Sequence, residues 1–184
     1  MMKIWAGAIN VAFLLPLFTG SGCTGPAPTP PIGQAIDSLR GVAIYYDMQQ
    51  EGALQTMKFT STEFVKRYYS EVMSIQLPDS LLEGSDFFDP AIPDGAVNPA
   101  TGLVQYTKPS KTAPEKNDIL VFSEADYNPG GHVAIIGKMD QLELEAVQQN
   151  PGPLAKTREP LRYYLRKKKW YVQHPHAVAW LRKE

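Results

Sequence analysis

Three side chains in this sequence have the types and order that covalent chemistry needs. Ser61 stands at the head of an amphipathic segment, His132 opens an apolar run, and Gln148 closes the next one, followed by Gln149 and Asn150. A helix N-terminus stabilises negative charge on a nucleophile placed there. A histidine entering a strand can serve as its base, and a polar group on the neighbouring strand can orient the imidazole. Serine makes this difficult. A thiol with a pKa near 8.5 is made a thiolate by a histidine and a helix terminus, whereas an alcohol must lose its proton to a well-oriented base during attack. Gln148 is a neutral amide, which can orient the ring but stabilises an imidazolium less than a carboxylate does. Plainer roles exist for each: Ser61 as a residue satisfying free helix N–H groups, His132 as a strand-end histidine, Gln148 and Asn150 as a polar strand exit.

The remaining reactive residues point to little. His174 and His176 flank Pro175 without carboxylate or thiol partners in sequence, so no metal site is expected. Asp86, Asp89 and Asp94 lack an EF-hand spacing and read as turn residues. No glycine-rich phosphate motif occurs, and no cofactor is expected. The run Arg166-Lys167-Lys168-Lys169-Trp170-Tyr171 could grip an anionic polymer, a phospholipid or nucleic acid. A solvated hairpin tip is the simpler account, and no nucleic-acid partner is expected.

The elements that must hold these residues follow from periodicity. Phe64, Tyr68, Val72 and Ile75 recur at helical spacing, Thr60-Ser61-Thr62-Glu63 has the form of a capping box, and Pro78 ends the segment. Residues 77–116 are rich in turn signals, with a short helix expected over 81–88 and little regular structure after it. Strands are expected over 118–122, 132–137 and 142–147, on both sides of the basic turn at 166–169, and over 178–181. One helix followed by a run of strands predicts an α+β domain with an antiparallel sheet.

The N-terminus reads as an export signal. Lys3 precedes an uncharged apolar stretch over residues 4–18, shorter than a membrane-spanning helix, and then Thr19-Gly20-Ser21-Gly22-Cys23. Small residues before a cysteine resemble a bacterial lipobox, with Gly20 where an aliphatic residue is usual. Residues 1–22 are therefore expected to be a lipoprotein signal peptide and Cys23 the lipidated residue. The Pro-rich residues 23–35 form a tether and 36–184 the folded domain. Loss of Lys3 with the signal takes the net charge from −1 to −2, which argues against a strongly charged partner. With one cysteine in the chain, no disulfide framework is available.

Several segments resemble the CHAP family, the cysteine- and histidine-dependent amidohydrolases. Residues 60–69 are similar to its Gln-Cys-Val-Glu-Phe helix motif, Asn117-Asp118-Ile119-Leu120 to Gly-Asp-Ile-Leu, Gly131-His132-Val133-Ala134 to Gly-His-Val-Ala, and Gln148-Gln149-Asn150 to Glu-Gln-Asn. Residues 156–159 and 179–182 resemble its closing strands. The resemblance implies a papain-like α+β fold with an N-terminal helix packed on an antiparallel sheet. It also implies His132 as the catalytic histidine, Gln148 at the third position, Asn150 after it, and Ser61 in place of the nucleophilic cysteine. Such proteins cleave amide bonds, most often in peptidoglycan. The expectation is an envelope-anchored, mostly disarmed amidohydrolase relative that binds a peptidoglycan fragment or peptide, held at the membrane through Cys23, with the outer membrane favoured by Thr24. An active serine-dependent amidase is the alternative. A third reading is an immunity- or inhibitor-type lipoprotein that binds a protein partner through the basic hairpin and the turn-rich middle.

Overall fold

The computed structural model describes residues 29–47, 59–126, 128–151 and 156–184. The expected signal peptide, Cys23 and the first part of the tether, up to residue 28, lie outside the described residues.

A short hairpin comes first, β1 (Ala35–Leu39) and β2 (Val42–Tyr45). The helix α1 (Ser61–Met73) follows. It starts because Thr60 is extended and its Oγ1 accepts the Glu63 N–H at 3.2 Å, and it stops where Ser74 turns left-handed at φ 55°. A 310 turn occupies Gly84–Phe87. Eight strands complete the described chain: β3 (Ala96–Asn98), β4 (Leu103–Thr107), β5 (Ile119–Phe122), β6 (His132–Met139), β7 (Glu143–Val147), β8 (Arg158–Arg166), β9 (Lys169–Val172) and β10 (Ala177–Arg182). They form one antiparallel sheet in the order β3-β4-β10-β5-β6-β7-β8-β9.

Alternation along these strands divides the core. Ile119, Val121, Val133, Ile135 and Val147 point towards α1, whose Phe64, Val65, Tyr68 and Tyr69 are buried against them together with Val42 and Ile44 of the hairpin. The opposite face carries Leu120, Ala134, Ile136, Ala146 and Trp180, packed with Leu161 and Val172 from β8 and β9. That second core contains no helix. The sheet curls over it until Ser110, just past β4, pairs with Trp170 in β9; Trp170 N–H donates to Ser110 O at 2.6 Å and Ser110 N–H to Trp170 O at 3.2 Å.

The α+β, papain-like CHAP architecture expected from the sequence is therefore corrected. The protein is mostly β: α1 is the only α-helix among the described residues, and the eight-stranded sheet dominates. Two local causes account for the difference. Residues 96–107, read as irregular for their turn signals, form the β3–β4 hairpin, with Gly102 at φ 73° closing the turn. The β8–β9 hairpin lines a second core between strands instead of leaving that face open. The short helix expected over 81–88 is the four-residue 310 turn.

Two ion networks pin the layers. Arg158 on β8 reaches Asp37 on β1 at 2.6 Å and Glu145 on β7 at 2.7 Å, which ties the first hairpin to the sheet. Arg182 on β10 bonds both carboxylate oxygens of buried Asp118, at 2.9 and 2.8 Å, and Glu115 at 2.7 Å. Burial pushes the Asp118 carboxyl up despite this partner.

Candidate functional site

Antiparallel pairing determines which side chains meet around His132. Its register partner is Phe122, whose ring centroid lies 6.0 Å from the imidazole, and Phe122 in turn meets His174 edge-on at 4.9 Å. Ile135 pairs with Val147, so the strand exit beyond β7 brings Gln148 alongside His132. His132 Nε2 and Gln148 Oε1 are 3.0 Å apart.

The rest of that network sets the tautomer. Gln148 Nε2 faces the Lys156 carbonyl at 2.9 Å and Glu159 Oε2 at 3.3 Å. Both partners only accept, so the amide nitrogen must point to them and Oε1 to His132. An acceptor there requires a proton on Nε2, which leaves the lone pair on Nδ1. Burial pulls the imidazole pKa down from 6.5 to about 4, with the Gln148 bond opposing and the nearby His174 adding to the fall. His132 is thus neutral at pH 7, and its proton affinity is roughly 300-fold below that of a free imidazole.

Ser61 lies close by but is engaged elsewhere. It opens α1, and its Oγ accepts the Val133 N–H at 3.4 Å. The Ile136 amide bonds towards β5, so by alternation the Val133 amide points to the β7 side, at a level where β7 has already left the sheet. The helix terminus fills that gap. No hydrogen bond joins Ser61 to His132. Alternation places the imidazole on the face of Ala134 and Ile136, while α1 packs on the face of Val133 and Ile135. Ser61, His132 and Gln148 are all buried, at 7%, 8% and 3% exposure.

Of the four residues marked by the sequence, three share this neighbourhood. Asn150 does not: it is exposed, in a left-handed conformation at φ 51°. Gln149 takes the inward place. Fully buried, it donates to the Thr60 carbonyl at 2.9 Å and Glu63 Oε2 at 2.8 Å and accepts from the Tyr45 amide at 2.8 Å, clamping the start of α1 to β2. Glu63 also pairs with Arg67 one turn on, so it does not close the reciprocal half of the expected capping box.

Sequence reasoning missed Glu159, which lies eleven residues from Gln148 and meets it only because β7 pairs with β8. It also missed Gly84. A Cβ there would sit 2.3 Å from His132 N and 2.6 Å from Gly131 C, so the 310 turn touches the backbone of the histidine turn directly. Ser85 N–H donates to Gly130 O at 2.9 Å, and Gly131 adopts φ 67°, which completes this contact. No local pattern in the sequence signals that approach.

The other candidates resolve into structural roles. Asp86, Asp89 and Asp94 accept backbone N–H groups of Leu82, Ala91 and Thr107 at 2.8, 2.8 and 3.0 Å. His176 Nδ1 lies 3.4 Å from Ser123 Oγ, and His174 Nδ1 accepts the His176 amide at 3.2 Å. Beside this cluster a cleft of about 220 Å³ is lined by Ser85, Phe88, Val121, Phe122, Ser123 and Glu124, among others. No protein-family model matches the sequence, and no characterised protein is detectably similar to it.

Proposed function

We propose that this protein is a cell-envelope lipoprotein whose domain is a degenerate, CHAP amidohydrolase-like one that binds a peptidoglycan-type or peptide ligand. One observation carries the reading: the Ser61 hydroxyl is bonded to the Val133 amide and makes no bond to His132, whose imidazole is buried, neutral and tied to Gln148. A serine nucleophile needs its base in hydrogen-bond reach and near the working pH in pKa. This site meets neither condition. The cleft next to Phe122 suits the ligand: its Ser85 and Ser123 hydroxyls and Glu124 carboxylate can meet amide and amine groups, and Phe88 and Val178 an aliphatic side chain. The lipobox-like junction at Cys23 supports the envelope assignment.

The test is turnover of purified peptidoglycan by the protein, by Ser61→Cys and by His132→Ala, with binding of soluble muropeptides measured in parallel. The expected result is binding by the wild type without release of new amino groups. Wild-type turnover that disappears in His132→Ala would overturn the disarmed reading in favour of a working serine amidase. Loss of muropeptide binding in all three forms would remove the ligand assignment.

A further inference from the structure

The β8–β9 hairpin carries a surface that the candidate site does not use. Its register pairs Tyr164 with Tyr171, Leu165 with Trp170 and Arg166 with Lys169, leaving Lys167 and Lys168 as a two-residue turn. Residues 160–173 hold five cations, Arg162, Arg166, Lys167, Lys168 and Lys169, and no acidic residue. Of these only Arg162 has a carboxylate partner among the described residues, Glu143 at 3.9 Å. The other four extend into solvent around the tip.

Apolar groups are exposed on both faces of the same tip. On one face Tyr164 and Tyr171 stack nearly parallel, with centroids 5.2 Å apart, and Tyr164 is 41% exposed. On the other, an apolar ridge runs out of the core through Tyr163 and Trp170, stacked at 5.7 Å, to Leu165, which is 56% exposed.

The turn itself is an unusual choice. Lys167 and Lys168 both have positive φ, 50° and 61°, the pattern of a type I′ turn that favours Asn-Gly. Lysine at both positions gives up backbone stability in exchange for two charges at the outermost point.

We infer that this hairpin docks on anionic phospholipid. A polyanion groove-binder or base-stacking surface uses one face of a sheet; here apolar side chains emerge on both faces just behind a ring of cations. That distribution matches a hairpin tip meeting the headgroup layer end-on, with the outermost basic side chains on the phosphates and tyrosine and leucine, just behind them, packed against the headgroups on either side. Each basic residue near such a surface strengthens binding by about 5-fold, so the two turn lysines together account for roughly 30-fold.

The test uses full-length protein and vesicles of mixed phosphatidylglycerol and phosphatidylcholine against pure phosphatidylcholine, so that any contribution of the apolar N-terminus enters both. The expected preference for anionic vesicles falls about 30-fold in Lys167→Asn with Lys168→Gly and weakens with salt. The thermal midpoint of that variant rises because the turn is relieved, which separates lost binding from lost folding. Leu165→Ser with Tyr164→Ser should lower partition at unchanged charge. Equal partition of wild type and turn variant on anionic vesicles would overturn the inference. So would tighter, turn-dependent binding to soluble polyphosphate or duplex DNA with no vesicle preference, which would reassign the surface to an anionic polymer.

Discussion

Replacing His132 with glutamine should flatten one particular part of the stability profile. Glutamine can still donate an N–H towards Gln148 Oε1, but it does not titrate. In the wild type, burial holds the imidazole pKa at about 4 against an ordinary 6.5. Between these values the unfolded chain binds a proton that the folded chain refuses, so stability rises with pH across that window. The contribution is complete above pH 6.5 and is lost as pH falls towards 4. At 1.36 kcal/mol per pKa unit it amounts to about 3 kcal/mol. Other groups are common to both proteins and drop out of the difference. His174 is also depressed by burial, with Glu159 opposing, and gives a slope of the same sign in each. Asp37, held low by Arg158, acts below pH 3.8, outside the window. Urea unfolding of wild type and His132→Gln at pH steps from 4 to 8 gives the measurement. The difference between the two unfolding free energies should grow by about 3 kcal/mol over the window. A difference that stays flat from pH 4 to 7 would show that the imidazole titrates normally and is not sealed as described.

Other perturbations probe the elements around the site. Arg182→Met leaves Asp118, 2% exposed, without its bidentate partner and should lower stability by about 3–5 kcal/mol in urea unfolding, with partial recovery on adding Asp118→Asn. Gly84→Ala drives a Cβ into the His132 backbone at 2.3 Å; a loss of about 1–3 kcal/mol is expected, with displaced His132 ring signals in NMR spectra. Thr60→Ala removes the acceptor for the Glu63 amide and should cost about 1 kcal/mol by thermal unfolding, while Thr60→Ser should restore most of it.

The sequence was informative where local pattern and local structure coincide. Helix α1 begins at Thr60-Ser61 as its capping signal implies, and strands β5, β6, β7 and β10 sit within a few residues of their apolar runs, because hydrophobic period decides which face a segment buries. Element order and the family resemblance point to Ser61, His132 and Gln148, of which His132 and Gln148 are in contact while Ser61 bonds Val133 instead. The fold class was not legible, because sheet closure is a long-range property. Nothing near Ser110 announces that it will pair with Trp170 sixty residues later, and it is that curl which creates a second core without helices. Glu159 and Gly84 were invisible for the same cause, since each reaches the site across strands or by backbone approach.

The neutral residue at position 148 then has an explanation in its neighbour. Gln148 lies between His132 Nε2 at 3.0 Å and Glu159 Oε2 at 3.3 Å. A carboxylate at 148 would stabilise an imidazolium, but it would also face the Glu159 carboxylate across hydrogen-bond distance in a part-buried setting, where each like charge disfavours the other. The amide satisfies both neighbours at once, donating to the carboxylate and accepting from the ring. Gln148→Glu alone should therefore protonate one carboxyl of the pair and leave His132 near its present state. Gln148→Glu combined with Glu159→Gln reverses the polarity of the bond and should raise the His132 pKa, read as a shift of its NMR titration midpoint towards the ordinary range. If Gln148→Glu alone raises that midpoint as far as the double variant does, Glu159 is not what keeps position 148 neutral. The proposed lack of turnover would then rest on Ser61 and burial alone.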